Sequence, residues 1–333
     1  MAKLYVSQES DDVLMLRVAW LYYMRGLTQE EVASRLSMHR TRIVRLLSEA
    51  RERGLVTVNI HHGAVKEVEL EQTITDRYGI DFCIATPAFG FTDLPSDPSL
   101  IAAQSLFARR AAGSAAAAYL TNYLSRPDPR IIGVSWGRTM EQMALHLGTV
   151  RNPQARFVSL LGSLARNSSS NPFEVVQSLA SRIGGEGYFL PVPFVVDKEV
   201  DRDVLMSQKS VREVLALARM ADLYLISVGE LTETSILRQQ GMVSAAELED
   251  ALAQGAVADT LGCLFDRQGK IVPHPVSARM LAVDTGDLKG RDVVLLAGGL
   301  EKVDAIHALL CSGLVRGLII DGDTARQLER IGK

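Results

Sequence analysis

Seven short apolar runs, DFCIATP (81–87), RIIGVSW (130–136), RFVSLLG (156–162), YFLPVPF (188–194), LYLISVG (223–229), DVVLLAGG (292–299) and LVRGLIID (314–321), alternate with helical segments from Asp81 onward. The apolar residues follow one another instead of alternating, the pattern of strands buried on both faces, and the helices between them supply the two covering layers. This predicts an α/β body with a mainly parallel sheet over 81–333. Residues 86–98 read as loop and 101–124 as a strong helix.

The first sixty residues follow a different plan. Leu14, Leu16, Val18, Ala19, Leu21, Tyr22 and Tyr23 give a first helix over 11–26, ended by Gly26. Thr28-Gln29-Glu30-Glu31 is a capping box that opens a second, short helix. After Ser37 and Met38 an arginine-rich helix runs from His39 to Glu52, stopped by Gly54, and LVTVNIH (55–61) alternates as a strand. Two short helices joined by a tight turn, with a supporting helix before and a strand after, predict a winged helix-turn-helix over 1–61. Val32, Leu36, Met38, Ile43 and Leu46 fill its apolar places and Ala33 the small one at the crossing. Ser37 takes the turn position where glycine is the usual solution to a positive φ.

On a helical wheel Ile43, Leu46, Leu47 and Ala50 point inward, leaving Arg40, Thr41, Val44, Arg45 and Ser48 outside. That outer face can enter a major groove, with arginine bonding guanine O6 and N7 and Thr41 or Val44 touching a thymine methyl. Arg42, Arg51 and Arg53 are placed for phosphates. Gln29 and His39 complete the candidate DNA-binding set. Charge agrees: residues 1–60 hold nine basic against seven acidic side chains, while the rest of the 333-residue chain is net acidic. A solvated face whose arginines pair with Glu49 and Glu52 is the competing reading.

Residues 62–80 read as a polar helix linking the two parts. The opening residues lack a secretory apolar stretch, and no run reaches the ~20 residues of a membrane span, so a cytoplasmic protein without membrane contact is expected. Cys83, Cys263 and Cys311 stand apart from any cluster with metal spacing and read as small core residues. No metal or cofactor is expected.

Chemistry is expected where strands give way to helices. Ser135, Gly137, Arg138 and Thr139 follow the second apolar run and open a helix whose free N–H groups suit a phosphate. Gly298, Gly299 and Lys302 repeat the pattern after the DVVLLA run. In an open parallel sheet both would face one crevice. Arg166 could clamp a phosphate or hydroxyl, and Asp259 could accept from sugar hydroxyls. An isomerase or deaminase bearing a DNA-binding head would need a general acid/base pair, of which the sequence shows only Asp259.

LYYMRGLTQEEVASRLSMHRTRIVRLLSEARERGLVTVNI, GVSWGRT, GAVADTLGCLFDRQG, AGGLEKVDAI and LIIDGDTA, in this order and spacing, resemble the SorC/DeoR type of sugar-binding transcriptional regulators. The resemblance covers the chain from about Leu14 to its end. It implies a winged helix-turn-helix on an effector domain like that of sugar-phosphate isomerases and CoA transferases. Double-stranded operator DNA, a small sugar, polyol or sugar-phosphate effector, and a homo-oligomer (dimer or tetramer) are the implied partners. It also implies that Ser135, Gly137, Arg138 and Thr139 line the phosphate end of a pocket, with Arg166, Asp259 and Lys302 further round. His39 and Ala258 stand where the family commonly has Ser and Gly, implying a different base preference and pocket shape. GELTETSILRQQGMVS (229–244) is similar to polyol-operon regulators, which points to a polyol or its phosphate.

Overall fold

A computed structural model describes residues 11–53, 62–126, 128–148, 150–164, 171–233 and 235–331. The chain forms two compact units, 1–64 and 65–333.

In the first unit, α1 (Asp11–Ala19) continues into one wider π turn, Trp20–Met24. Thr28 then caps α2 (Gln29–Leu36): its Oγ1 accepts from the Glu31 N–H at 3.2 Å, while the Glu31 carboxylate accepts from the Thr28 N–H at 2.7 Å. α3 (Arg40–Glu52) follows after three residues. The core collects Leu14, Met15, Val18, Val32, Leu36, Ile43, Leu46, Leu47 and Ala50, so the inward face expected of α3 is the buried one. Ala33, 6% exposed, is one of the small residues of this core. The strand expected at 55–61 lies outside the described residues.

Ser37 ends α2 with φ 54° and ψ 44°, its N–H donating to the carbonyls of Ala33 and Ser34. A side chain in this left-handed region costs roughly 1–2 kcal/mol, and only the second helix's change of direction requires it.

In the second unit the seven apolar runs form one parallel sheet. Its strands are β1 (Phe82–Ala85), β2 (Arg130–Val134), β3 (Ala155–Ser163), β4 (Glu186–Pro193) and β5 (Leu223–Ile226), then, after the four strands of a smaller sheet, β10 (Val293–Ala297) and β11 (Gly317–Ile320). Their order is β1-β11-β10-β5-β2-β3-β4, and every pairing is parallel. α4 (His62–Tyr78) precedes this sheet, and α5 (Pro98–Leu124), α6 (Arg138–His146), α7 (Pro172–Ile183), α8 (Glu199–Ser207) and α9 (Lys209–Arg219) lie between its strands. α10 (Ile236–Gln239), α11 (Ala245–Ala253), α12 (Pro275–Ala278), α13 (Val303–Cys311) and α14 (Gly322–Arg330) complete the chain. Successive residues of β5 enter opposite cores: Leu223 and Leu225 meet α5, α6 and α7, while Tyr224 and Ile226 meet the layer of α9, α13 and α14. Burial on both faces is why the inner strands β5, β10 and β11 read as continuous apolar runs.

The smaller sheet is antiparallel, in the order β6 (Gly229–Glu230), β7 (Ala256–Thr260), β8 (Cys263–Asp266), β9 (Ile271–Val272). β7 and β8 are joined by Leu261 (φ 49°) and Gly262 (φ 80°). Two positive φ values make this a hairpin turn of the primed kind.

Two expectations change. The stretch 62–80 was read as a linker, yet its second half is built into the body: Leu70 and Ile74 are core residues, and Arg77 Nη1 donates to the carbonyls of Leu328, Glu329 and Ile331. Among the cysteines only Cys83 is buried; Cys263 is half-buried and Cys311 is exposed on the last turn of α13. Among the described residues, no helix is long and apolar enough to cross a membrane.

The strain at Ser37 is testable. Ser37→Gly should raise the stability of the head by roughly 0.5–1 kcal/mol, the left-handed cost less the extra entropy glycine loses on folding. Ser37→Val should lower it. Urea unfolding followed by Trp20 fluorescence in a Trp136→Phe background reads the effect on the head.

Candidate functional site

From β2 the chain moves outward to β3 and β4, whereas β5 and its followers lie on β2's other side. At such a reversal the connections leave the strand ends in opposite directions, and a crevice opens at the carboxyl ends. It is lined by residues that follow β2 and β5, by β7 and by Lys302.

The floor is locked by hydroxyls. The Ser135 N–H donates to the Leu225 carbonyl at 2.9 Å. Ser135 Oγ accepts from the Ser227 N–H at 3.0 Å, and Ser227 Oγ donates to the Trp136 carbonyl at 2.6 Å. Gly137 then opens α6 at φ 124°, a conformation other residues rarely adopt, and no side chain caps the helix. The first N–H groups of α6 therefore have no helical partner. Thr139, 3% exposed, and Arg138 stand beside them.

Charges converge on Glu230, 5% exposed. Its Oε1 lies 3.4 Å from Arg138 Nη2, and its Oε2 lies 3.4 Å from Lys302 Nζ. Lys302, itself 7% exposed, also donates to the Val228 carbonyl at 2.7 Å. Asp259 faces this group from β7, paired with Gly229 of β6. A Cβ on Gly229 would lie 2.0 Å from Asp259 Oδ1, so only glycine lets this carboxyl lie across β6. Burial pushes Asp259 up to about 7, helped by the charge of Glu230 and opposed by Lys302. Nearby, Arg109 of α5 lies 3.6 Å from Glu301 and is held down to about 10, by burial first and then by the charge of Arg138.

The crevice thus brings together Ser135, Gly137, Arg138, Thr139, Asp259 and Lys302, all expected from the sequence, with Ser227, Glu230 and Thr260, which were not. Ser227 lies within the run LYLISVG, just past the end of β5, and Glu230 directly follows that run, so the rule that picked out the residues after β2 applies to them too. The sequence reading left Asp259 without a second acid; Glu230 stands beside it.

Gly298 and Gly299 serve packing and backbone hydrogen bonding instead of the expected ligand contact. They do not line the crevice. The Gly299 N–H donates to Asp321 Oδ2 and Thr324 Oγ1, each at 3.0 Å, so it has nothing to offer an anion. A Cβ on Gly298 would sit 2.8 Å from the Ala108 carbonyl, and close approach to α5 is what that position requires. Arg166 lies outside the described residues.

In the head, His39, Arg40, Thr41, Arg42, Val44 and Arg45 are exposed, and Ser48 is half-buried. Arg40 Nε donates to Gln29 Oε1 at 3.4 Å, steadying one expected contact with another. Arg45 lies 3.6 Å from Glu49, the helical pairing that a solvated face would also show. Arg53, read as a phosphate contact, instead meets Asp12 at 2.8 Å. The side chain of Arg51 lies outside the described residues.

A family model described as "Putative sugar-binding domain" matches residues 63–328. The chain is 34% identical over 320 residues to the erythritol catabolism regulatory protein EryD of Brucella abortus (strain 2308), covering 96% of this chain and 97% of that one. It is 26% identical over 320 residues to the deoxyribonucleoside regulator of Bacillus subtilis (strain 168), covering 95% and 96%. The full-length sorbitol operon regulator SorC from Klebsiella pneumoniae, a crystal structure, shares the fold with a TM-score of 0.70 at 23% identity, over 96% of this chain and 100% of that one.

The buried carboxyl gives the site a pH signature. Asp259 lies at about 7 in the fold against an ordinary 3.8, so the fold favours its neutral form. That contribution is complete below the ordinary value and is lost as pH rises through the folded one. Asp259→Asn should match the parent in urea midpoint near pH 4, exceed it increasingly up to about pH 7 and hold a constant advantage above that. A constant difference between the two midpoints from pH 4 to 8 would contradict the assignment.

Proposed function

The chain belongs to the SorC/DeoR-type family of sugar-binding transcriptional regulators, and from that premise we propose that a small polyol in the crevice controls the affinity of its head for double-stranded operator DNA. The observation that carries this reading is the cluster in which Arg138 and Lys302 both hold the Glu230 carboxylate, with the Asp259 carboxyl beside them. Carboxylates held by cations remain good acceptors for hydroxyls, and Ser135, Ser227 and Thr260 add groups that both donate and accept. An uncharged polyhydroxyl ligand enters such a site without having to find a counter-charge. The relative named for erythritol catabolism supports a short polyol.

A phosphorylated polyol or sugar is the second reading, favoured by the uncapped opening of α6 and by Arg138. Its phosphate would have to displace Glu230 from the two cations. An isomerase-like activity is the alternative in kind, favoured by Asp259 and Glu230 standing together. Against it, Glu230 is engaged by both cations, and the relatives are named as regulators.

The outer face of α3 would lie in a major groove, as the second helix of a helix-turn-helix. Arg40, Thr41, Val44 and Arg45 would meet base edges, and Arg42 a phosphate. Effector control then needs only that the ligand bind two arrangements of the protein unequally. The chain would act in the cytoplasm as a homo-oligomer.

Calorimetry with tetritols, pentitols and their phosphates separates the ligand readings. On the polyol reading Glu230→Gln weakens binding of the unphosphorylated polyol by roughly tenfold, the loss of a charge-assisted hydrogen bond. Stronger phosphate binding by the same variant, with the polyol unbound, would replace the polyol with its phosphate as effector.

For the head, Arg40→Ala or Arg45→Ala should cost about 1–3 kcal/mol on a duplex selected by the parent from a random pool, and relax specificity at one base position. Arg42→Ala should weaken all duplexes alike and lower the salt slope by about 1. Equal losses on selected and random DNA for all three variants would remove the groove-reading assignment.

A further inference from the structure

The turn between β7 and β8 holds a residue that its own backbone disfavours. Leu261 lies at φ 49° and Gly262 at φ 80°, between the paired residues Thr260 and Cys263. A two-residue turn with both φ values positive is ordinarily built from Asn, Asp or Gly, which adopt that backbone readily. For leucine the left-handed region brings its Cβ too close to a carbonyl oxygen. The turn cannot relax, because the hairpin is held on both sides of it. Thr260 Oγ1 donates to the Ser227 carbonyl at 2.7 Å, and a Cβ on Gly262 would lie 2.7 Å from that of Met280. A strained backbone fixed by its surroundings marks a position kept for the side chain it presents.

That side chain lines the crevice. Leu261 is 6% exposed and is joined in the lining by Leu161 of β3 and Leu237 of α10, both buried. Along β7 the hydroxyl-binding groups stop one residue earlier: Asp259 and Thr260 line the crevice, and Leu261 follows them. A polyol carries a hydroxyl on every carbon. Each carbon added to the chain therefore brings one more hydroxyl that must find a partner or stay in water. An apolar boundary resists a longer polyol twice, by filling the space and by leaving the added hydroxyl unpaired.

We propose that Leu261 sets the length of polyol that the crevice accepts, its side chain closing the crevice where the hydroxyl-binding groups end. This rests on the polyol reading of the site and deepens it. Asparagine at this place would relax the turn and offer a partner to the hydroxyl that leucine refuses. Leucine keeps the strain and the selectivity together.

The test is calorimetry of the full chain with a tetritol, a pentitol and a hexitol. The parent should bind the tetritol roughly tenfold tighter than the hexitol. Leu261→Asn should bring the two affinities together, chiefly by binding the hexitol more tightly, and Leu261→Ala, which opens space without supplying a partner, should narrow the gap less. The parent alone gives a second readout that needs no variant to fold. A pentitol whose terminal CH2OH is replaced by CH3 should bind roughly tenfold tighter than the pentitol itself, because the methyl demands no partner. A parent that binds all three lengths alike, or the hexitol best, overturns the proposal. So does a deoxypentitol that binds no tighter than the pentitol, or a tetritol-to-hexitol ratio in Leu261→Asn equal to the parent's, the result expected if Leu261 serves only the core. A parent that binds no polyol of any length removes the polyol reading and this inference with it, whereas a parent that prefers the tetritol beside variants of unchanged ratio removes the role of Leu261 alone.

Discussion

A parallel sheet buried on both faces commits the chain to helical crossovers, and the order of those crossovers decides where its strand ends stay open. Between β2 and β5 the order reverses. Everything chemical in the body follows from that point. Leu225 and Val134 sit side by side, so Ser135, the next residue, donates its N–H to the Leu225 carbonyl, and Ser227, two residues past Leu225, donates its N–H to Ser135 Oγ, which closes the floor. α6 departs from one side and β6 from the other, carrying Arg138 and Glu230 to within 3.4 Å of each other. The ion pair is a consequence of topology.

Within the crevice, Glu230 sets the electrostatics. Taking a carboxylate out of water costs several kcal/mol unless partners compensate. Arg138 and Lys302 supply two, at 3.4 Å each. At Asp259 burial, helped by the charge of Glu230, outweighs Lys302 and carries the carboxyl to about 7. On the polyol proposal, a ligand that bridges Glu230 and Asp259 would tie β6 to β7 and, through Lys302, to the turn into α13, and effector control requires that this tie differ between two arrangements of the protein.

The sequence made the large sheet legible because burial on two faces leaves an unmistakable run of apolar residues. All seven runs are strands of that sheet. The antiparallel sheet left no such trace. β6 and β9 are two residues long, and the β7–β8 turn is Leu261–Gly262, lacking the Asn-Gly or Asp-Gly that advertises a primed turn. The site was legible at Ser135–Thr139, Asp259 and Lys302, and misread at Gly298 and Gly299. A glycine pair after a strand has two physical uses, presenting N–H groups to an anion or letting backbones approach. Only the contacts of Gly298 with α5 and of Gly299 with Asp321 decide between them. Glu230 was missed because no periodicity marks a single acid in a two-residue strand.

In the head, apolar residues carried more information than charged ones. Ile43, Leu46, Leu47 and Ala50 are buried as the wheel requires, and their burial, more than the count of arginines, selects Arg40, Thr41, Val44 and Arg45 as the outward face. Ser37 holds the angle between α2 and α3 with a strained backbone where glycine would be relaxed, so that angle is set by packing around Val32, Leu36 and Ile43 and not by the turn's own preference. The same sorting applied to α1 gives a different answer. There, subtracting the buried face leaves Val13, Leu16, Trp20 and Tyr23, an apolar remainder where α3 leaves a basic one.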